Sequence, residues 1–95
     1  MNGPDPDAIA RAVLDCPAVA SLSDQVATYL PGRRVVGVAV RDDGTSSVEV
    51  HVVGTWGPTV HEIDAQVRRA VARVAGEVPL TVVIDDLDTS QVTGL

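Results

Sequence analysis

The chain has no lysine and no phenylalanine, and only one each of cysteine, tryptophan and tyrosine. Each shortage excludes something. A lone Cys16 leaves no intramolecular disulfide, and such usage suits a reducing compartment. Without lysine there is no Walker lysine to hold a nucleotide phosphate. Without phenylalanine the core must be Val, Ala, Leu and Ile, and branching at Cβ favours sheet. No apolar run approaches the roughly 20 residues of a membrane span. The opening stretch MNGPDPDAIA has no basic region followed by an apolar one, so no secretory signal is expected. Positive charge is also scarce. Seven arginines face thirteen acidic residues, a formal charge of −6 that repels phosphate backbones and anionic lipid.

What is present is periodicity. At 95 residues the chain is expected to form one domain over 1–95, with 1–6 and 89–95 as flexible ends. A chain of this size can bury roughly 60–70% of its unfolded surface. A short helix is predicted from Asp5 to Cys16: Asp5 or Asp7 can cap it, Pro6 suits its first turn, and Ile9 and Val13 form a stripe. Pro17 ends it. Residues 18–24 read as a connector. Residues 25–30 fit either helix or strand; Pro31-Gly32, a turn that joins extended segments, favours an extended piece at 26–30 leading into a strand at 33–41. Asp42-Asp43-Gly44-Thr45 is a hairpin loop into a second strand at 47–53, where Val48, Val50 and Val52 alternate. A helix follows over 58–75, with Val60, Ile63, Val67, Val71 and Val74 at steps of three and four. Either Pro58 opens it or Thr59 caps it with Glu62, and Gly76 stops it. Val78 to Leu87 reads as a last strand.

The implied fold is α+β in the order α-β-β-α-β. It is a two-layer sandwich, a three- or four-stranded mixed sheet with a β-hairpin and a helix crossover. The last strand is expected parallel to 47–53, and 33–41 is expected at the centre because both its faces are apolar.

From about Val35 to Leu87 the chain resembles the alkaline-shock, or envelope-stress-response, family of Gram-positive bacteria. The resemblance rests on Gly37-Val38, the alternating Val48/Val50/Val52, the pair Trp56-Gly57, the helix positions Val60/Ile63/Val67/Val71, and Val82/Ile84/Asp86/Leu87. Departures are Trp56 where Tyr is usual, Arg68 where Gln is common, and Val83 where Asn is common. The resemblance implies a non-enzymatic cytoplasmic protein without a cofactor, acting through protein–protein contacts. It also implies self-association and recruitment to the inner face of the membrane by a membrane-anchored protein partner, with no direct insertion of its own.

Chemical motifs start and then lack a required residue. His61-Glu62 begins H-E-x-x-H, but position 65 is Ala65. Asp85, Asp86 and Asp88 lack the glycine and distal Glu of a calcium loop and read as a solvated strand end. His51 lies on the less buried sheet face, with Glu49 and Arg41 near and neither evidently paired with it. Cys16 has no activating base at a telling spacing and reads as a small buried hydrophobe. Gly54, Gly57 and Pro58 read as a tight turn rather than an anion cradle. No catalytic, cofactor or metal residues are expected. Trp56 is either a plug over the end of the core or an interface anchor, with Arg33, Arg34, Arg68 and Arg69 as companions on such a surface. The alternative function is a KH-like RNA-binding module, which would need a basic G-x-x-G loop that is absent. An enzyme built on His51, His61 and the terminal aspartates ranks last.

Overall fold

The structure, a computed structural model, describes residues 4–90. In chain order the elements are α1 (Pro6–Leu14), β1 (Val19–Leu22), β2 (Ala27–Leu30), β3 (Arg33–Val36), β4 (Val38–Asp42), β5 (Ser46–Thr55), α2 (Val60–Ala75) and β6 (Leu80–Asp88). This is the expected α+β sandwich, with helices on one face of a mixed sheet.

Local chemistry sets the helix boundaries. The Asp5 carboxylate accepts from the Asp7 N–H at 3.0 Å, and Pro6 occupies the first turn, where its missing N–H costs nothing. α1 ends at Leu14 rather than Cys16. The Cys16 N–H turns back to the Val13 carbonyl, tightening the chain ahead of Pro17. α2 begins at Val60, not Pro58, because Thr59 and Glu62 form a reciprocal capping box. The Glu62 N–H donates to Thr59 Oγ1 at 3.1 Å, and the Thr59 N–H to Glu62 Oε2 at 3.0 Å.

β5 is the central strand, which corrects the placement of 33–41 there. β6 runs parallel along one edge of β5, pairing Val48, Val50 and Val52 with Leu80, Val82 and Ile84. The other edge is shared end to end. β4 pairs antiparallel with its first half, and β1 with Val52 to Gly54. Centrality depends on hydrogen bonding along both edges, and hydropathy alone does not report that. The apolar run 33–41 is in fact two strands in two sheets. β3 pairs with β2 in a separate two-stranded ribbon, and β4 joins the main sheet.

The break is at Gly37, whose φ is +86°. A Cβ there would lie 2.6 Å from Leu22 Cβ. The Gly37 N–H donates to the Val26 carbonyl, while its own carbonyl accepts from the His51 N–H. One residue therefore hands the chain from ribbon to sheet. Leu22 belongs to β1, in the segment expected to be a connector. β1 is four residues long and bulged between Val19 and Ser21, too short and irregular to show a period.

The core lies on one face only. Val48, Val50 and Val52 of β5 and Val38 of β4 pack under Ile9 and Val13 of α1 and Ile63, Val67, Ala70 and Val71 of α2. Burying a side chain such as Val or Ile stabilises by about 1.5–3 kcal/mol. α2 comes close because position 54 is glycine: a Cβ there would meet Ile63 Cδ1 at 2.6 Å. No helix among the described residues is long and apolar enough to cross a membrane.

Candidate functional site: an acid–histidine–acid row and an open sheet edge

The sheet face away from the helices carries a polar row. Along β5 the core-facing valines alternate with Glu49 and His51, which therefore share the outer face. In the parallel register His51 lies opposite Val83, so the next outward position on β6 is Asp85. His51 Nδ1 is 2.8 Å from Asp85 Oδ2, and Nε2 is 2.5 Å from Glu49 Oε2. The imidazole is 12% exposed, and the two carboxylates are more open. Ser23, buried at the end of β1, donates its N–H to the His51 carbonyl at 2.9 Å.

Burial pulls the His51 pKa down, but hydrogen bonds and charge from Glu49 and Asp85 outweigh it, and the net shift is upward. The Ser23 hydroxyl holds the Asp85 carboxyl below its ordinary value, against burial and with help from His51. Both ring nitrogens of His51 therefore lie within hydrogen-bonding distance of a carboxylate. With each nitrogen already facing a carboxylate, neither is turned toward open space to exchange a proton with a substrate. Ser23 neighbours Asp85 rather than His51, so the nucleophile–base link of a Ser–His–Asp triad is missing. The carboxylates sit on opposite nitrogens and do not converge on a metal position.

The sequence placed His51 on the outer face correctly but left it unpaired. Its partners are Glu49 and Asp85. Glu49, two residues along the strand, was already among the near residues that the sequence offered. Asp85 required the β5–β6 register.

The remaining candidates resolve individually. The carboxylates of Asp85, Asp86 and Asp88 have separate partners: His51, the Leu87 N–H at 2.8 Å and the Ser90 N–H at 2.9 Å. Cys16 is buried between the helices, its Sγ 3.5 Å from the Gln66 carbonyl and 3.6 Å from that of Ala12. Burial raises its pKa, the opposite of what a nucleophile needs. The first turn of α2 is occupied by its own capping box, and the Glu62 carboxylate opposes an anion there. Trp56 is 59% exposed and does not plug the core. Its backbone N–H donates to the Asp88 carbonyl, which puts it where β5 ends, β6 ends and α2 is about to start.

A hollow of about 1010 Å³ runs between the start of α2 and β6 and is lined by Val60, His61, Asp64, Val82, Ile84 and Leu87 among others. Beside it β6 presents an open edge. The Val48 N–H bonds to the Pro79 carbonyl, so in a parallel ladder the peptide groups of Thr81 and Val83 also face β5. Those of Leu80, Val82 and Ile84 face outward. The Leu80 carbonyl is taken by Arg68 Nη1 at 3.1 Å, with Arg68 Nε held by Asp64 at 2.9 Å. Among the described residues nothing bonds the outward groups of Val82 and Ile84. The opposite edge, that of β4, is covered: Thr28 Oγ1 donates to the Val38 carbonyl and accepts from the Val40 N–H.

No family model, curated protein or solved structure matches this chain. The arginines lie on two elements. Arg68 and Arg69 are on α2, with Arg68 against the open edge. Arg33 and Arg34 are on the β2–β3 ribbon, with Arg33 gripped by both carboxylate oxygens of Asp7 from α1.

Proposed function

We propose that the chain is a non-enzymatic protein-interaction module of the envelope-stress type, held in the cytoplasm and recruited to the membrane by a protein partner. The observation that carries the interaction reading is the apolar groove between α2 and the open β6 edge, with Trp56 exposed just beyond its end. Aromatic side chains of this kind anchor interfaces. The doubly engaged His51 supports the non-enzymatic part, since its nitrogens are not free to move a substrate proton. The envelope-stress assignment comes from the resemblance over residues 35–87. The RNA-binding reading gains nothing: β5 passes to α2 through Trp56-Gly57-Pro58-Thr59 with no basic loop, and Arg33 and Arg68 are paired with acids.

The test is a crosslinking pull-down from cells that express the chain, followed by membrane fractionation. Wild type should retain a membrane-protein partner, and Trp56→Ala should lose it while keeping a wild-type circular dichroism spectrum. Recovery of the chain with no envelope partner would overturn the assignment.

A further inference from the structure

We propose that the open edge of β6 takes up an extended segment of another protein as a further strand, and that this segment alternates apolar with basic side chains. The inference rests on reading the α2–β6 groove as a contact surface and names the chemistry of its occupant.

The two edges of the main sheet differ. On β4 the Thr28 hydroxyl covers both the Val38 carbonyl and the Val40 N–H. On β6 the Leu80 carbonyl is held by Arg68, and after Ile84 the register shift turns the Asp86 peptide toward β5. Between those limits the N–H and C=O groups of Val82 and Ile84 face outward, and among the described residues nothing bonds them. No proline, charge or bulge interrupts Leu80 to Ile84. An apolar edge left open in this way is a template for an incoming strand, and folded proteins ordinarily blunt it.

Main-chain bonds to such an edge supply affinity, and side chains supply selectivity. The pleat sets what those side chains meet. Residues of the incoming strand opposite Val82 and Ile84 point to the helix side, into the hollow lined by Val60, Val82, Ile84 and Leu87, which favours apolar side chains. The residues between them point to the other face, beside Val83 and diagonally from Asp85, which lies on that face because it holds His51. Asp86 lines the hollow just past the end of the open edge. Asp64, the other carboxylate of the hollow, is already paired with Arg68. His51 offers at most one positive charge to Glu49 and Asp85 together. The charge left over beside the edge is therefore negative, which favours arginine or lysine at the alternate positions of the incoming strand. Charge also separates the occupants: a second copy brings another −6, and a phosphate backbone is repelled.

The probe is a labelled synthetic peptide, acetyl-Arg-Val-Arg-Val-Arg-Val-Arg-amide, titrated against the full chain by fluorescence anisotropy. Binding should be saturable and should weaken as salt rises. The same peptide with Glu for Arg should bind at least about tenfold more weakly. At about ten times the Kd, hydrogen exchange at the Val82 and Ile84 amides should slow by about tenfold, while the Thr81 and Val83 amides, which face β5, should change less. N-methylation of one alternate set of peptide amides should abolish binding and of the other set leave it nearly intact, because only one set faces the edge. Asp86→Arg should weaken the arginine peptide by at least about threefold and improve the glutamate one. Val82→Pro removes an outward N–H without breaking a bond to β5 and should abolish binding. Circular dichroism establishes that each variant folds, and the methylated peptides carry the test if one does not. Absence of saturable binding overturns the proposal, as does binding indifferent to both methylated sets or equal for the two charge forms. It is overturned as well if the Val82 and Ile84 amides are already protected in the free chain, whether by a second copy, seen as a rise in sedimentation mass, or by residues 91–95. A chain that captures an envelope partner but ignores the peptide would remove the strand site and leave the proposed function. Peptide binding with no envelope partner would do the reverse.

Discussion

At the scale of residues, His51 makes stability depend on pH in a direction that can be worked out. Its pKa is raised in the folded chain, so the folded state holds the proton more tightly than the unfolded state. The stabilisation is complete below the ordinary value of 6.5 and is lost as pH rises through the folded value. Losing the proton leaves Glu49 and Asp85 facing a neutral ring. The urea midpoint of wild type should therefore fall between about pH 6 and pH 8.5, and that of His51→Gln should be flatter over the same range. The range stops short of the thiol, whose raised pKa would add its own slope at higher pH. Asp85 has the opposite sign. Its lowered pKa gives stability that is present above its ordinary value of 3.8 and is lost as pH falls through the folded value. Cys16 offers a second readout. Buried and held protonated, it should react with a thiol reagent only as fast as the chain opens, so denaturant should accelerate labelling far more than it does for a free thiol.

At the scale of elements, what was legible followed from length and period. α2, the β4–β5 hairpin and β6 each repeat an apolar spacing over enough residues to show it, and their caps and turns carry the expected residue types. β1 did not, being short and bulged. The division of 33–41 was invisible for a different reason. A glycine inside a valine-rich run looks like a weak spot in one strand, and only the approach of Leu22 shows that the chain changes sheet there. The two kinds of feature should respond differently to mutation. Thr59→Ala removes one half of the α2 capping box and should cost about 1 kcal/mol. Gly37→Ala forces a side chain into left-handed backbone, at roughly 1–2 kcal/mol, and also drives its Cβ onto the Cβ of Leu22, which cannot swing away. It should therefore be the more damaging of the two, and urea titration of the pair checks the order. The polar row was half legible for a related reason: partners two residues apart on one strand can be counted, while a partner on another strand depends on a register that hydropathy does not encode.

At the scale of the whole molecule, the question is whether the β2–β3 ribbon folds with the main sheet or beside it. Val35 of the ribbon is buried in the same cluster as Ile9, Val50 and Ile63, so the ribbon shares the one core. Thr28 ties it further, bonding both the Val38 carbonyl and the Val40 N–H on the outer edge of β4. A ribbon of two short strands is at best marginal alone, so it should not survive loss of the sheet. The chain's only two aromatic residues report on the two parts separately: Tyr29 lies in β2, and Trp56 lies just past β5. Thermal transitions followed at the two should coincide, as a cooperative unit of this size requires. Thr28→Val is the decisive variant. It nearly preserves shape but leaves the Val38 carbonyl and the Val40 N–H without their partner, an expected loss of about 1–3 kcal/mol. If the ribbon is held mainly by the shared core, the Thr28→Val transitions move down together. If Thr28 is the main tie, Tyr29 melts first and Trp56 keeps nearly its wild-type midpoint. The buried position of Val35 leads us to expect the first outcome, with both probes shifting by the same amount.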